Sequence, residues 1–207
     1  MALQLPLAKA GDAPKAKLQL KLAKPSRFTV EVYWDSTHDL DAHALLATNS
    51  GAGAKVDDFA KVLSTYNESL PLTDRSSTTR KSGDKRPFMT PCGALYHSGD
   101  ARSGVGADVD EIITIDGSSV ASNVNEIPIF VTLHPASAGT FSVVKTAGIR
   151  IKDDAGVVLA EYELTNQYGA FNAVQMGSLV IGANGWEYAP VGSGFVGDFN
   201  TVLEHFS

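Results

Sequence analysis

The chain has one cysteine, Cys92, in 207 residues, which excludes an internal disulfide framework and any cysteine-rich metal site. It has no apolar run approaching the roughly 18 residues that a membrane-crossing helix requires, so no transmembrane segment is expected. It has no basic excess either. Seventeen Lys and Arg against 23 Asp and Glu leave a formal charge of −6, which gives no global attraction to nucleic acid or anionic lipid. No positive charge precedes the short apolar start "LQLPLAKAG", so no signal peptide is read there, and the single cysteine fits a reducing, cytoplasmic setting. Gly-x-Ser-x-Gly is absent, and helical periodicity is missing until the last turns of the chain.

What the sequence does have is alternation. "KLQLKLAK", "FTVEVYW", "DAHALLAT", "FAKVLST", "EIITID", "IPIFVTLH", "AGIRIK", "VVLAEYEL", "AVQMGSLVI" and "GWEYA" are β-branched or period-two runs, bounded by Gly, Asn, Asp, Ser or Pro. Strands that follow one another with no helices between them predict an all-β fold, a two-sheet antiparallel β-sandwich. Only "GDFNTVLEHF" has period 3.6, with Asp198 as N-cap and Phe199, Val202, Leu203 and Phe206 on one face, which predicts a short C-terminal helix. The expected organisation is an N-terminal extension over 1–15 and one sandwich domain over 16–207.

That domain is interrupted by a long aperiodic stretch, 67–93, rich in Ser, Thr and Pro. It carries Arg75, Arg80, Lys81, Lys85 and Arg86 in a chain that is otherwise acidic, and reads either as a solvated excursion or as an arm that binds an acidic partner.

The segment "HSGDARSGVGADVDEI", residues 97–112, packs four acidic residues and three glycines into sixteen positions. It is not a phosphate loop: Gly99 and Gly104 have the spacing, but Val105 stands where lysine is needed and carboxylates repel phosphate. It is not an EF-hand, although Asp100, Asp108 and Glu111 fall at positions 1, 9 and 12. Arg102 takes a ligand position, Val105 replaces the turn glycine, and the flanks are not helical. Two readings survive: an oxygen-rich cage for a Ca²⁺-sized cation, or Asp108, Asp110 and Glu111 solvating a strand entry.

Nearby in sequence, Asp39 and Asp41 are two apart and share a side if extended, where they repel each other unless a cation lies between them or water surrounds both. His38 and His43, five apart, face opposite ways and do not make a shared zinc site. No triad or other catalytic signature is marked, so no enzyme is expected.

"YWD…DLDAHALL", "YHSGDARSGVGADVDEIITID", "EIPIFVTLH", "AGIRIKDDAGVVLAEYEL" and "MGSLV…GWEYAPVGSGFVG" resemble, in order, the TerD family of tellurium-resistance proteins. The resemblance covers the chain from about residue 16 onward, apart from the arm. It implies a non-catalytic, Ca²⁺-binding β-sandwich of bacterial stress and tellurite-resistance systems, with relatives in phage genomes. By position it implies Asp39, Asp41, Asp100, Asp110 and Glu111 as ligands, with Asp108 as a substitute. Ala101, Val105 and Val109 depart from the family's polar pattern. Two roles follow from the resemblance: a calcium-dependent module that contacts a protein partner in the cytoplasm, or a self-assembling virion component of a phage.

Overall fold

In the computed structural model, residues 3–4, 17–66, 86–106, 108–164 and 166–207 are described. In chain order the strands are β1 (Leu3–Gln4), β2 (Leu18–Leu22), β3 (Arg27–Asp35), β4 (Leu40–Leu45), β5 (Thr48–Asn49), β6 (Ala54–Lys55) and β7 (Val62–Leu63). They continue with β8 (Phe88–Met89), β9 (Leu95–His97), β10 (Glu111–Asp116), β11 (Glu126–Leu133), β12 (Thr146–Asp153), β13 (Val158–Leu164), β14 (Ala173–Gly182) and β15 (Gly185–Phe195). Among the described residues a single α-helix, α1 (Phe199–Phe206), follows. One sheet has the order β1-β13-β12-β3-β10-β9-β8 and the other β2-β15-β14-β11-β4-β7, while β5 and β6 form a small separate pair. Among the described residues every strand pairing is antiparallel except β1 with β13.

Period-two alternation builds the interior. In β3, Phe28, Val30, Val32 and Trp34 are fully buried between the sheets, and in β10 the same parity buries Ile113 and Ile115. Glu111 shares that parity and therefore enters the interior as a carboxylate, with no exposed surface.

Strand β4 is buried on both faces. Leu40, Ala42 and Ala44 join the inter-sheet core, while Leu45 belongs to a second apolar cluster with Val62, Phe130 and Ala173 beneath α1. Helix α1 starts as the sequence predicts, with the Asp198 carboxylate accepting the Thr201 N–H at 3.1 Å. Eight residues would not hold a helix alone. Burying Phe199 and Val202, at about 1.5–3 kcal/mol each, supplies what propensity does not.

The structure departs from the expected elements in two places. Phe59–Lys61, read as part of a strand, form a 3-10 turn capped by the Asp58 carboxylate, and only Val62–Leu63 pair with β4. The last part of the expected arm is strand: β8 pairs with β9, and Phe88 is buried against His97. A two-residue strand is too short to show a period, so alternation could not reveal it. Arg75, Arg80, Lys81 and Lys85 lie outside the described residues, and Arg86 sits at the entry to β8.

Candidate metal centre

At one end of the sandwich the 98–110 loop is fastened to the end of β3. The Asp110 N–H donates to the Val32 carbonyl at 2.9 Å, and the Trp34 N–H donates to Asp110 Oδ2 at 2.8 Å. Ser36 and Gly104 exchange both backbone hydrogen bonds, at 3.2 and 3.0 Å. Gly104 is required for this approach, because a Cβ there would lie 2.3 Å from the Trp34 carbonyl oxygen and 2.6 Å from Asp110 Oδ2. Gly104 thus serves close backbone contact with β3, whereas Gly99 and Gly106 take the left-handed region, with φ of 112° and 69°.

The fastening brings Asp100 to the start of β4. Asp39, Asp41 and Asp100 each present a carboxylate oxygen, and the three oxygens lie within 4.8 Å of one another. Asp39 is held by backbone contacts: its N–H donates to Ser137 Oγ and its carbonyl accepts the His134 N–H at 2.9 Å. Asp41 is 1% exposed. Its Oδ1 accepts the Thr65 hydroxyl at 2.8 Å, and its Oδ2 accepts the Tyr66 hydroxyl. Burial, reinforced by the nearby Glu111 charge, pushes the Asp41 carboxyl up to about 7, against the pull of the two hydroxyls. Asp100 is closer to solvent and carries an ion pair with Arg102 at 3.5 Å.

Glu111 stands behind this cluster. Its Oε2 accepts the Ala42 N–H at 2.8 Å and its Oε1 accepts the Ala101 N–H at 3.1 Å, one from each side of the interface between the sheets. His97 Nε2 lies 3.4 Å from Glu111 Oε2. Because His97 Nδ1 accepts the Gly99 N–H at 3.1 Å, the ring proton lies on Nε2, facing the carboxylate. Burial holds the Glu111 carboxyl well above the usual carboxylate range, and the two amides draw it back.

Of the six acidic residues that the sequence marks, the structure gathers Asp39, Asp41 and Asp100 and sets Glu111 behind them. Asp110 turns its carboxylate to the Trp34 amide, and Asp108 is exposed on the loop. Successive strand residues point to opposite faces, which separates Asp110 from Glu111. Sequence reasoning missed Thr65, Tyr66 and His97. The parity of Glu111 with Ile113 and Ile115 could have revealed a buried carboxylate. Nothing local to "STY" marks Thr65 and Tyr66, which meet Asp41 only through the pairing of β4 with β7.

The donors are all hard oxygens. Oxygens bound to one Ca²⁺ at about 2.3–2.6 Å can lie no more than roughly 5 Å apart, a limit that the Asp39, Asp41 and Asp100 oxygens meet. The three carboxylates therefore fit such an ion.

A model of the TerD domain matches residues 86–206. The tellurium resistance protein TerD of Serratia marcescens is 29% identical over 211 residues, covering 97% of this chain and 95% of that protein. Stress response protein SCP2 of Bacillus subtilis is 25% identical over 197 residues, covering 94% and 93%. A crystal structure of a TerD homologue from Streptomyces coelicolor superposes with a TM-score of 0.59 at 20% identity, over 88% of this chain and 98% of that one. The matched domain model and the shared sandwich lead to one conclusion: this chain belongs to the TerD family.

Proposed function

We propose that this protein is a non-enzymatic Ca²⁺-binding module of a bacterial stress-response or tellurite-resistance system, acting in the cytoplasm through contacts with a protein partner. The observation that carries this reading is the convergence of Asp39, Asp41 and Asp100 within 4.8 Å, one of them almost fully buried. Like charges held this close in a dry setting raise one another's proton affinity, and a divalent cation turns the repulsion into attraction. Asp39, Asp41 and Asp100 would hold the ion. The ion would supply charge neutralisation, and Glu111 would keep β4 and the 98–110 loop in place around it. The relatives named above are resistance and stress proteins, which supports this role over that of a virion component.

The test is calorimetric titration of chelator-stripped protein with Ca²⁺ and, separately, Mg²⁺. Saturable binding of Ca²⁺, much weaker with Mg²⁺ and lost in Asp39→Asn, is the expected outcome. The absence of any calcium heat, together with a melting temperature indifferent to millimolar calcium, would overturn the reading.

A further inference from the structure

Asp41 is the most enclosed of the three gathered carboxylates, and what encloses it comes from outside both acidic segments. The register that pairs Ala44 with Leu63 and Leu45 with Val62, extended past the end of β7, puts Tyr66 opposite Asp41. Two consecutive residues then each give a hydroxyl to a different oxygen of one carboxylate: Thr65 to Oδ1 and Tyr66 to Oδ2. Neither donor is free to wander. Thr65 is 8% exposed, and the Tyr66 ring lies 5.3 Å from the His43 ring and 5.7 Å from the His134 ring, centroid to centroid.

An ionised carboxylate has about four acceptor positions, so two hydroxyls leave one lone-pair direction on each oxygen for a cation. The Tyr66 phenol carries one O–H, and it is spent on Oδ2. A carboxylate that could rotate would have to be immobilised when the ion arrives, at a cost in side-chain entropy. One already held by two donors bears that cost in folding.

We propose that Thr65 and Tyr66 are positioning residues of the cation site: without touching the ion, they fix the Asp41 carboxylate in its liganding orientation and thereby set the affinity. This rests on the reading that Asp39, Asp41 and Asp100 hold Ca²⁺. Outer partners of metal ligands typically contribute 10–100-fold in affinity.

Full-length chelator-stripped wild type, Tyr66→Phe and Thr65→Val are titrated with CaCl₂ by calorimetry, and each is melted in chelator and in excess calcium. The expected result is a Kd weakened by about 10-fold or more in Tyr66→Phe, in the same direction in Thr65→Val, with a smaller calcium-induced rise in melting temperature in both. A merely structural role would lower the melting temperature in chelator and leave Kd unchanged. If wild type binds Ca²⁺ and both variants bind within twofold of it, the positioning role is wrong and the cation site stands. If wild type shows neither calcium heat nor a calcium-dependent melting temperature, the site reading and this inference fall together. Should Tyr66→Phe not fold, the near-isosteric Thr65→Val decides alone, its weakened Kd supporting the role and an unchanged Kd refuting it.

Discussion

Asp41→Asn should make the calcium-free protein more stable and the calcium response vanish. In the fold, burial and then the Glu111 charge push the Asp41 carboxyl up to about 7 from its ordinary 3.8. Its folded value is raised, so its contribution to stability is fully present below pH 3.8 and is lost as pH rises through 7. With each pH unit worth about 1.4 kcal/mol, keeping Asp41 ionised above pH 8 without a cation costs about 4 kcal/mol. Asparagine has nearly the same volume, can accept from one hydroxyl and donate to the other, and does not ionise. In chelator, the variant and wild type should therefore be equally stable near pH 4 and diverge as pH rises, until the variant is ahead by about 4 kcal/mol at pH 8. For a chain of this length that is roughly 10 °C in melting temperature. His43, fully buried and pushed well below its usual range by desolvation, acts in the opposite direction: its contribution is lost as pH falls below 6.5. Both chains carry His43, so its contribution cancels in their difference, which reads Asp41 together with its interaction with Glu111.

Calcium at about 100 times its Kd should restore roughly 2.7 kcal/mol to wild type and nothing to the variant, closing most of the gap. The assay is thermal denaturation across pH 4–8, with chelator and with calcium. If Asp41→Asn melts at or below wild type in chelator at pH 8, the ionised Asp41 is no burden and the electrostatic account of the site is wrong.

Three further outcomes are expected. Arg102→Gln removes the cation paired with Asp100, a partly exposed pair of the kind worth about 0.2–1 kcal/mol, so calorimetry should show calcium affinity rising by up to about fivefold. Asp110→Asn should leave the calcium Kd within about twofold of wild type, because its carboxylate faces the Trp34 amide; a tenfold loss in titration would put it back among the ligands. Asp198→Ala removes the cap of α1 and should cost about 1 kcal/mol in denaturant melts, with no change in calcium binding.

Much of the architecture was readable from local pattern. Phe28, Val30, Val32 and Trp34 announce a strand with one buried face, and Asp198 with Phe199, Val202, Leu203 and Phe206 announces the helix, because side-chain period and capping are short-range properties. Asp39 and Asp41 were marked as sharing a side, and the structure brings them together. What stayed hidden depends on which strands become neighbours. His97 reaches Glu111 because β9 pairs with β10, and Tyr66 reaches Asp41 because β7 pairs with β4; register across a sheet is not written in either strand alone. Strand β8, two residues long at a sheet edge, offers too little alternation to be seen.

The position of Glu111 has a mechanical consequence. Two sheets of a sandwich are ordinarily kept in place by packing, which is non-directional and tolerates small sliding of one layer over the other. Glu111 belongs to a strand of one sheet and accepts a 2.8 Å hydrogen bond from the Ala42 amide in the other, while its second oxygen holds Ala101 in the loop above. A slide that apolar contacts would absorb would turn the Ala42 contact away from its preferred alignment, and a hydrogen bond weakens steeply as it bends. The layers are thus held against sliding at the end where the acidic residues gather.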